Sequence, residues 1–142
     1  MIRVQTEDFD PGAELEQLRR NNGGKAGAVV SFMGLVRDLN EGDTIRQMTL
    51  EHYPGMTEKA LGIIETTARE RWKLTDVIII HRIGPLAPDD RIVFVAAASP
   101  HRKQAFHACE YMIDTLKTDA PFWKKEATAS GNRWVSTPPV IG

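Results

Sequence analysis

The spacing of hydrophobic and polar positions changes several times along the chain, and each change predicts an element. Residues 27–33 (GAVVSFM) are rich in β-branched and aromatic side chains and suit a buried strand. Residues 44–53 alternate in part, Ile45, Met48 and Leu50 against Arg46, Gln47 and Glu51, and predict a strand that Pro54-Gly55 ends. Over 56–72 the period lengthens, with Leu61, Ile64, Ala68 and Trp72 at helical spacing. Two β-branched runs follow at 76–83 and 91–98. The second is apolar on both faces, which predicts a central strand. A short amphipathic helix fits 13–20. A longer one fits 101–118, its apolar stripe formed by Ala105, Cys109, Met112, Ile113 and Leu116. Ser99 reads as the N-cap of that helix and Pro100 as its first residue. Residues 122–128 and 132–136 predict two strands around a turn at 129–131, and the tail 137–142 reads as extended. Residues 35–40 and 84–90 read as loops.

The predicted order is α-β-β-α-β-β-α-β-β. Strand pairs lie between helices instead of alternating with them one by one. That pattern predicts an α+β fold with a mixed or antiparallel sheet, in one domain spanning 1–142. It argues against a doubly wound dinucleotide fold, and no GxGxxG or P-loop pattern is present.

Composition narrows the function classes. The 142 residues carry 18 Lys and Arg against 19 Asp and Glu, a formal charge of −1. Sequence-blind coating of nucleic acid needs a basic excess, so no nucleic-acid partner is expected. A single cysteine, Cys109, excludes an internal disulfide framework and a multi-thiolate zinc site, and fits a reducing compartment. It sits on an apolar helical stripe and reads as inert core. The apolar runs 77–80 and 92–98 fall far short of the roughly 20 residues of a membrane helix. The first ten residues hold no apolar signal core. The expectation is a soluble, cytoplasmic protein with no metal and no organic cofactor.

Two segments concentrate groups capable of chemistry. In SPHRKQAF, residues 99–106, three cationic or titratable side chains (His101, Arg102 and Lys103) gather at a helix start, where the backbone dipole disfavours cations. Either they and the free N–H groups jointly receive an anion such as phosphate, or they simply point into solvent. In LKTDAPFWKKEAT, residues 116–128, Lys117 lies in a last helical turn, where the dipole alone explains a cation. If the following strand brings Lys124 close, two ammonium groups in a partly dry pocket would depress each other's pKa, and a lysine so tuned is a usable base or nucleophile. The alternative is two unrelated surface lysines. Arg37, in the loop after a buried strand, is a third candidate. His52, His81 and His107 form no cluster at metal-ligand spacing.

GAVVSFMGLVRD, LEHYPGMTEKAL, VIIIHRIGPLAPDD, SPHRKQAF, LKTDAPFWKKE and GNRWV occur in that order. Together they resemble the catalytic (large) subunit family of molybdopterin synthase, from about Gly27 to Val135. The resemblance implies an α/β-hammerhead-like α+β fold and a homodimer that joins two small subunits in a heterotetramer. It implies sulfur transfer from the C-terminal glycine thiocarboxylate of a small ubiquitin-like partner to cyclic pyranopterin monophosphate, forming the dithiolene of molybdopterin. Lys117 and Lys124 match the family's catalytic lysines. Arg37, His101 and Arg102 match positions that hold the pterin phosphate, the latter two reaching the pocket from the neighbouring protomer. Lys125 and Glu126 flank Lys124 as further substrate-binding candidates. Leu35 departs from the basic residue that relatives often carry there, and the tail ends early. A different function class, a non-catalytic module docking a ubiquitin-like tail, would share the pocket without needing lysine chemistry.

Overall fold

In chain order the elements are β1 (Ile2–Gln5), α1 (Pro11–Asn21), β2 (Ala28–Leu35), β3 (Leu39–Asn40), β4 (Asp43–His52), α2 (Met56–Arg71), β5 (Asp76–Arg82), β6 (Gly84–Leu86), β7 (Arg91–Ser99), α3 (Arg102–Asp119), β8 (Phe122–Thr128) and β9 (Gly131–Val135). This computed structural model describes residues 1–40, 43–128 and 131–135, with side chains for all of these except 39–46, 123–128 and 132–135. Residues 129–130 of the turn predicted at 129–131, the last residue of the strand predicted at 132–136 and the predicted tail 137–142 lie outside the described residues.

One sheet has the order β1-β5-β7-β2. β1 joins β5 in parallel, and the other two pairings are antiparallel, so the sheet is mixed as the α+β reading expects. The continuous apolar runs occupy its two central strands. Alternation then divides their side chains between two cores. Ile78, Ile80, Phe94 and Ala96 pack with Phe9 and Leu18 under α1. Val77, Ile79, Val93 and Val95 face Leu61, Ile64, Met112 and Leu116 of α2 and α3. Burying a Leu- or Ile-sized side chain is worth roughly 1.5–3 kcal/mol, so this two-sided burial is what fixes α3 over the sheet.

The second sheet has the order β3-β4-β8-β9, with β6 also on β4. Three short strands were not visible in the pattern: β1, β3 and β6. Two of the expected loops therefore contain strand. β2 runs on to Leu35, β3 occupies Leu39–Asn40, and β6 occupies Gly84–Leu86. The start of α3 also corrects the sequence reading. Its N-cap is His101, not Ser99. Ser99 is the last residue of β7 and fully buried, its hydroxyl donating to the Lys73 carbonyl at 2.6 Å and accepting from the His101 N–H at 3.1 Å. Strand pairing to Ala28 thus holds Ser99 out of the helix, and Pro100 precedes the first turn.

Candidate functional site

β7 ends at Ser99 beside the start of β2, and α3 begins there and runs back along the sheet. Gly27 donates its N–H to the Ser99 carbonyl at 2.9 Å, and a Cβ on Gly27 would collide with the Pro100 carbonyl. That close approach seats the N-terminus of α3 against the start of β2. His101, Arg102 and Lys103 are all exposed there, and no acidic residue lies in the first turn. An open cleft of about 480 Å³ is lined by Gly27, Pro100, these three side chains and Gln104. The free N–H groups of a first turn point the same way as its dipole, so the cleft carries cations and donors together.

Lys117 lies in the last turn of the same helix and is half-buried. Fifteen residues separate it from Arg102, which at 1.5 Å per residue is about 22 Å along a continuous helix. The two candidate groups therefore cannot close on one small molecule within a single chain. Arg37 lies at the Lys117 end. β2 leaves the sheet at Leu35, opposite Arg91 at the start of β7, and α3 finishes over that same edge. The loop bearing Arg37 is pinned by two backbone bonds, Val36 N–H to the Asp90 carbonyl at 3.0 Å and Asp89 N–H to the Val36 carbonyl at 2.8 Å. Arg37 itself is exposed, in an open cleft of about 420 Å³ shared with Leu35, Asp38 and Pro88.

Between the two ends a groove of about 400 Å³ runs between Phe32 of β2 and Phe106, Glu110 and Ile113 of α3. Ile113 and Lys117 are one turn apart on one helical face, so the groove leads toward Lys117. Lys124, Lys125 and Glu126 have described backbones in β8, opposite Leu50, Thr49 and Met48 of β4. Their side chains lie outside the described residues. β8 starts three residues after α3 ends, so Lys117 and Lys124 are carried on consecutive elements.

Two buried polar residues escaped the sequence reading. His81 is fully buried, and burial holds its ring neutral, down to about 4. It follows Val77 and Ile79 on the core-facing side of β5, so alternation places it in the core. Thr57, also fully buried, opens α2. Cys109 lies against β7 in the core, and burial pushes its thiol up to about 11. His52 Nε2 lies 3.8 Å from Glu58 Oε1. Among the described residues, no group of three or more His, Cys, Asp and Glu is arranged to hold a metal ion. Nor is any described helix long and apolar enough to cross a membrane.

Comparison with known proteins identifies the family of the chain. A family model described as MoaE protein matches residues 4–119. The molybdopterin synthase catalytic subunit of Ralstonia nicotianae is 58% identical over 134 residues, which cover 94% of this chain and 76% of that protein. The molybdopterin biosynthesis MoaE protein of Burkholderia ambifaria has a structure similar at a TM-score of 0.84 and 52% identity, over 97% of this chain and 89% of that one. The crystal structure of molybdopterin synthase from Staphylococcus aureus is similar at 0.83 and 38% identity, over 94% of this chain and 95% of that one.

Proposed function

This chain belongs to the MoaE protein family, and from that membership we infer that it is a molybdopterin synthase catalytic subunit, working in the cytoplasm. It transfers sulfur from the thiocarboxylate at the C-terminus of a small ubiquitin-like subunit to cyclic pyranopterin monophosphate. The observation that carries this reading is identity above one half with named catalytic subunits across nearly the whole chain.

The chemistry divides between the ends of α3. Lys117, half-buried at the C-terminal end, serves as base or transient acyl acceptor where the donor tail arrives. As the sulfur bonds to the pterin carbon, which gives up an oxygen substituent, its bond to the donor carbonyl breaks. The acyl group passes either to the Lys117 amine, as an amide that water later hydrolyses, or directly to water, whose proton the amine takes. Lys124 binds substrate anion and supports proton transfer, with Lys125 and Glu126 beside it. Arg37 contacts the pterin phosphate from the Lys117 end.

His101 and Arg102 serve the site of a second copy of this chain. Their separation from Lys117, about 22 Å along one rigid helix, supports that division. Val29 and Met33, exposed on the α1 face of edge strand β2, and Phe106, exposed on α3 across the sheet, leave apolar surface on both sides of this edge, which supports a protein partner along it. The buried Cys109, with its thiol held protonated, fits sulfur arriving from outside the chain.

Reconstitution tests the function. This chain is mixed with thiocarboxylated small subunit and cyclic pyranopterin monophosphate, and dithiolene formation is followed. Turnover is expected. Tight binding of the small subunit without conversion would make the chain a docking module instead.

A further inference from the structure

Only a short linker, Ala120, Pro121 and Phe122, joins the last turn of α3 to the strand that carries Lys124. Side chains from two other elements grip it. The Thr57 hydroxyl, at the start of α2, donates to the Pro121 carbonyl at 3.3 Å and accepts from the Tyr53 N–H at 3.2 Å. The His81 ring stacks on Phe122 with centroids 3.8 Å apart and planes 17° apart. Its Nδ1 lies 2.8 Å from the Arg82 carbonyl, which can only accept, so Nδ1 carries the proton. That leaves Nε2 a buried lone pair with no hydrogen-bond partner among the described residues. Backbone bonds complete the grip: Ala120 N–H to the Leu116 carbonyl at 3.3 Å, and Phe122 N–H to the Ala120 carbonyl at 2.9 Å.

Packing alone does not call for these residues. A valine would fill the place of Thr57, and an aliphatic side chain would continue the run of Val77 and Ile79 at position 81. What the hydroxyl and the ring add is direction. One ties the Pro121 carbonyl to a helix start, and the other fixes the plane of Phe122, which pairs with His52 at the first rung of the β4–β8 ladder. We propose that Thr57 and His81 are positioning residues that hold the Ala120–Phe122 linker and so set the separation between Lys117 and Lys124.

This assignment rests on the roles given to those lysines above. Misplacing a reacting group by about 1 Å costs up to roughly a hundredfold in rate. A positioning residue should therefore act chiefly on kcat, with a smaller change in KM because Lys124 also binds the substrate anion.

The test compares Thr57→Val, which keeps the shape and removes the hydroxyl, with Thr57→Ser, which keeps the hydroxyl and removes a methyl group. Both are assayed as the complex with thiocarboxylated small subunit, alongside thermal melting. Thr57→Val is expected to lower kcat about tenfold, with KM for the pterin and affinity for the small subunit within about twofold. Thr57→Ser is expected to keep kcat within about twofold of wild type, whatever its melting temperature.

An unchanged kcat in Thr57→Val would overturn the assignment. So would equal losses in both variants that merely follow their stability. Should Thr57→Val fail to fold, Phe122→Leu, which removes the stack and keeps the Thr57 hydroxyl, carries the same expectation and the same contrary result. A wild-type complex with no turnover would instead contradict the function itself, and the assignment with it.

Discussion

The two ends of α3 carry the same kind of charge in opposite settings. At the N-terminal end, His101, Arg102 and Lys103 are exposed beside an open cleft, and nothing in the first turn neutralises them. At the C-terminal end, Lys117 is half-buried, and the chain beyond it is tied to α2 and β5 through Thr57 and His81. The helix dipole disfavours cations at the first end and favours one at the second. The difference teaches how to sort charges in a nearly neutral chain. A cation against the dipole, in the open, is a candidate for receiving an anion. A cation with the dipole, partly withdrawn from water, marks a place where proton or acyl chemistry can be tuned.

The comparison breaks most sharply at Lys117. Lys117→Ala should fold, dimerise and bind the small subunit, yet lower dithiolene formation by about 10²–10⁴-fold, the range for loss of an acid–base group. Wild-type turnover by this variant would remove Lys117 from the mechanism.

Acid should next weaken the region behind that end. Above pH 6.5 the His81 ring is neutral both in the native protein and in the unfolded chain. Between 6.5 and about 4 the unfolded chain takes up a proton that the buried ring refuses, chiefly because burial penalises its charge. Stability should therefore fall with pH across this window, by about 3 kcal/mol in all, and this contribution should level off below it. Asp8, held low by Arg91, and Glu16, held at about 2 by Arg19, lose their own contributions as pH falls from the ordinary carboxylate range through their lowered values, mostly below that window. Denaturant melts of wild type and His81→Gln at several pH values check this. Equal slopes would show that His81 is not the group.

At the other end, Arg102→Ala should raise KM for the pterin about tenfold, the worth of one charge-assisted hydrogen bond, with kcat nearly unchanged. An unaltered KM would leave the cleft without a substrate. The smallest effect is expected at Cys109. Its buried thiol, pushed up to about 11, should resist alkylation at pH 8 in the folded protein, and Cys109→Ala should leave sulfur transfer unchanged. Lost activity there would mean that the chain supplies sulfur itself.

Legibility in the sequence followed length and period. The runs that became β5 and β7, and the stripe that became α3, were plain because each repeats its period over many residues. The strands β1, β3 and β6, of four, two and three residues, are too short to show one. β6 even contains Pro85, which has no N–H to give a ladder and sits at an edge position opposite Thr49. The Ser99-Pro100 signal misled because the same hydroxyl that would cap a helix also bonds the Lys73 carbonyl from a strand end.

The site was legible as residue types, since cations against a dipole can be seen without coordinates. What holds the chain between Lys117 and Lys124 was not. His81 and Thr57 look like a stray histidine and a helix-start threonine until the fold sets them against Phe122 and Pro121, 41 and 64 positions away in the chain.

The central claim is that each site joins Lys117 of one chain to His101 and Arg102 of its twin. Complementation tests it most directly. A Lys117→Ala chain and a His101→Ala, Arg102→Ala chain, each nearly inactive, are unfolded together, refolded as mixed dimers and assayed with thiocarboxylated small subunit at limiting pterin. In a mixed dimer one of the two sites regains every group, so random pairing should restore about a quarter of wild-type activity. If the mixture stays as inactive as its components, both groups serve the same chain and the shared site is wrong.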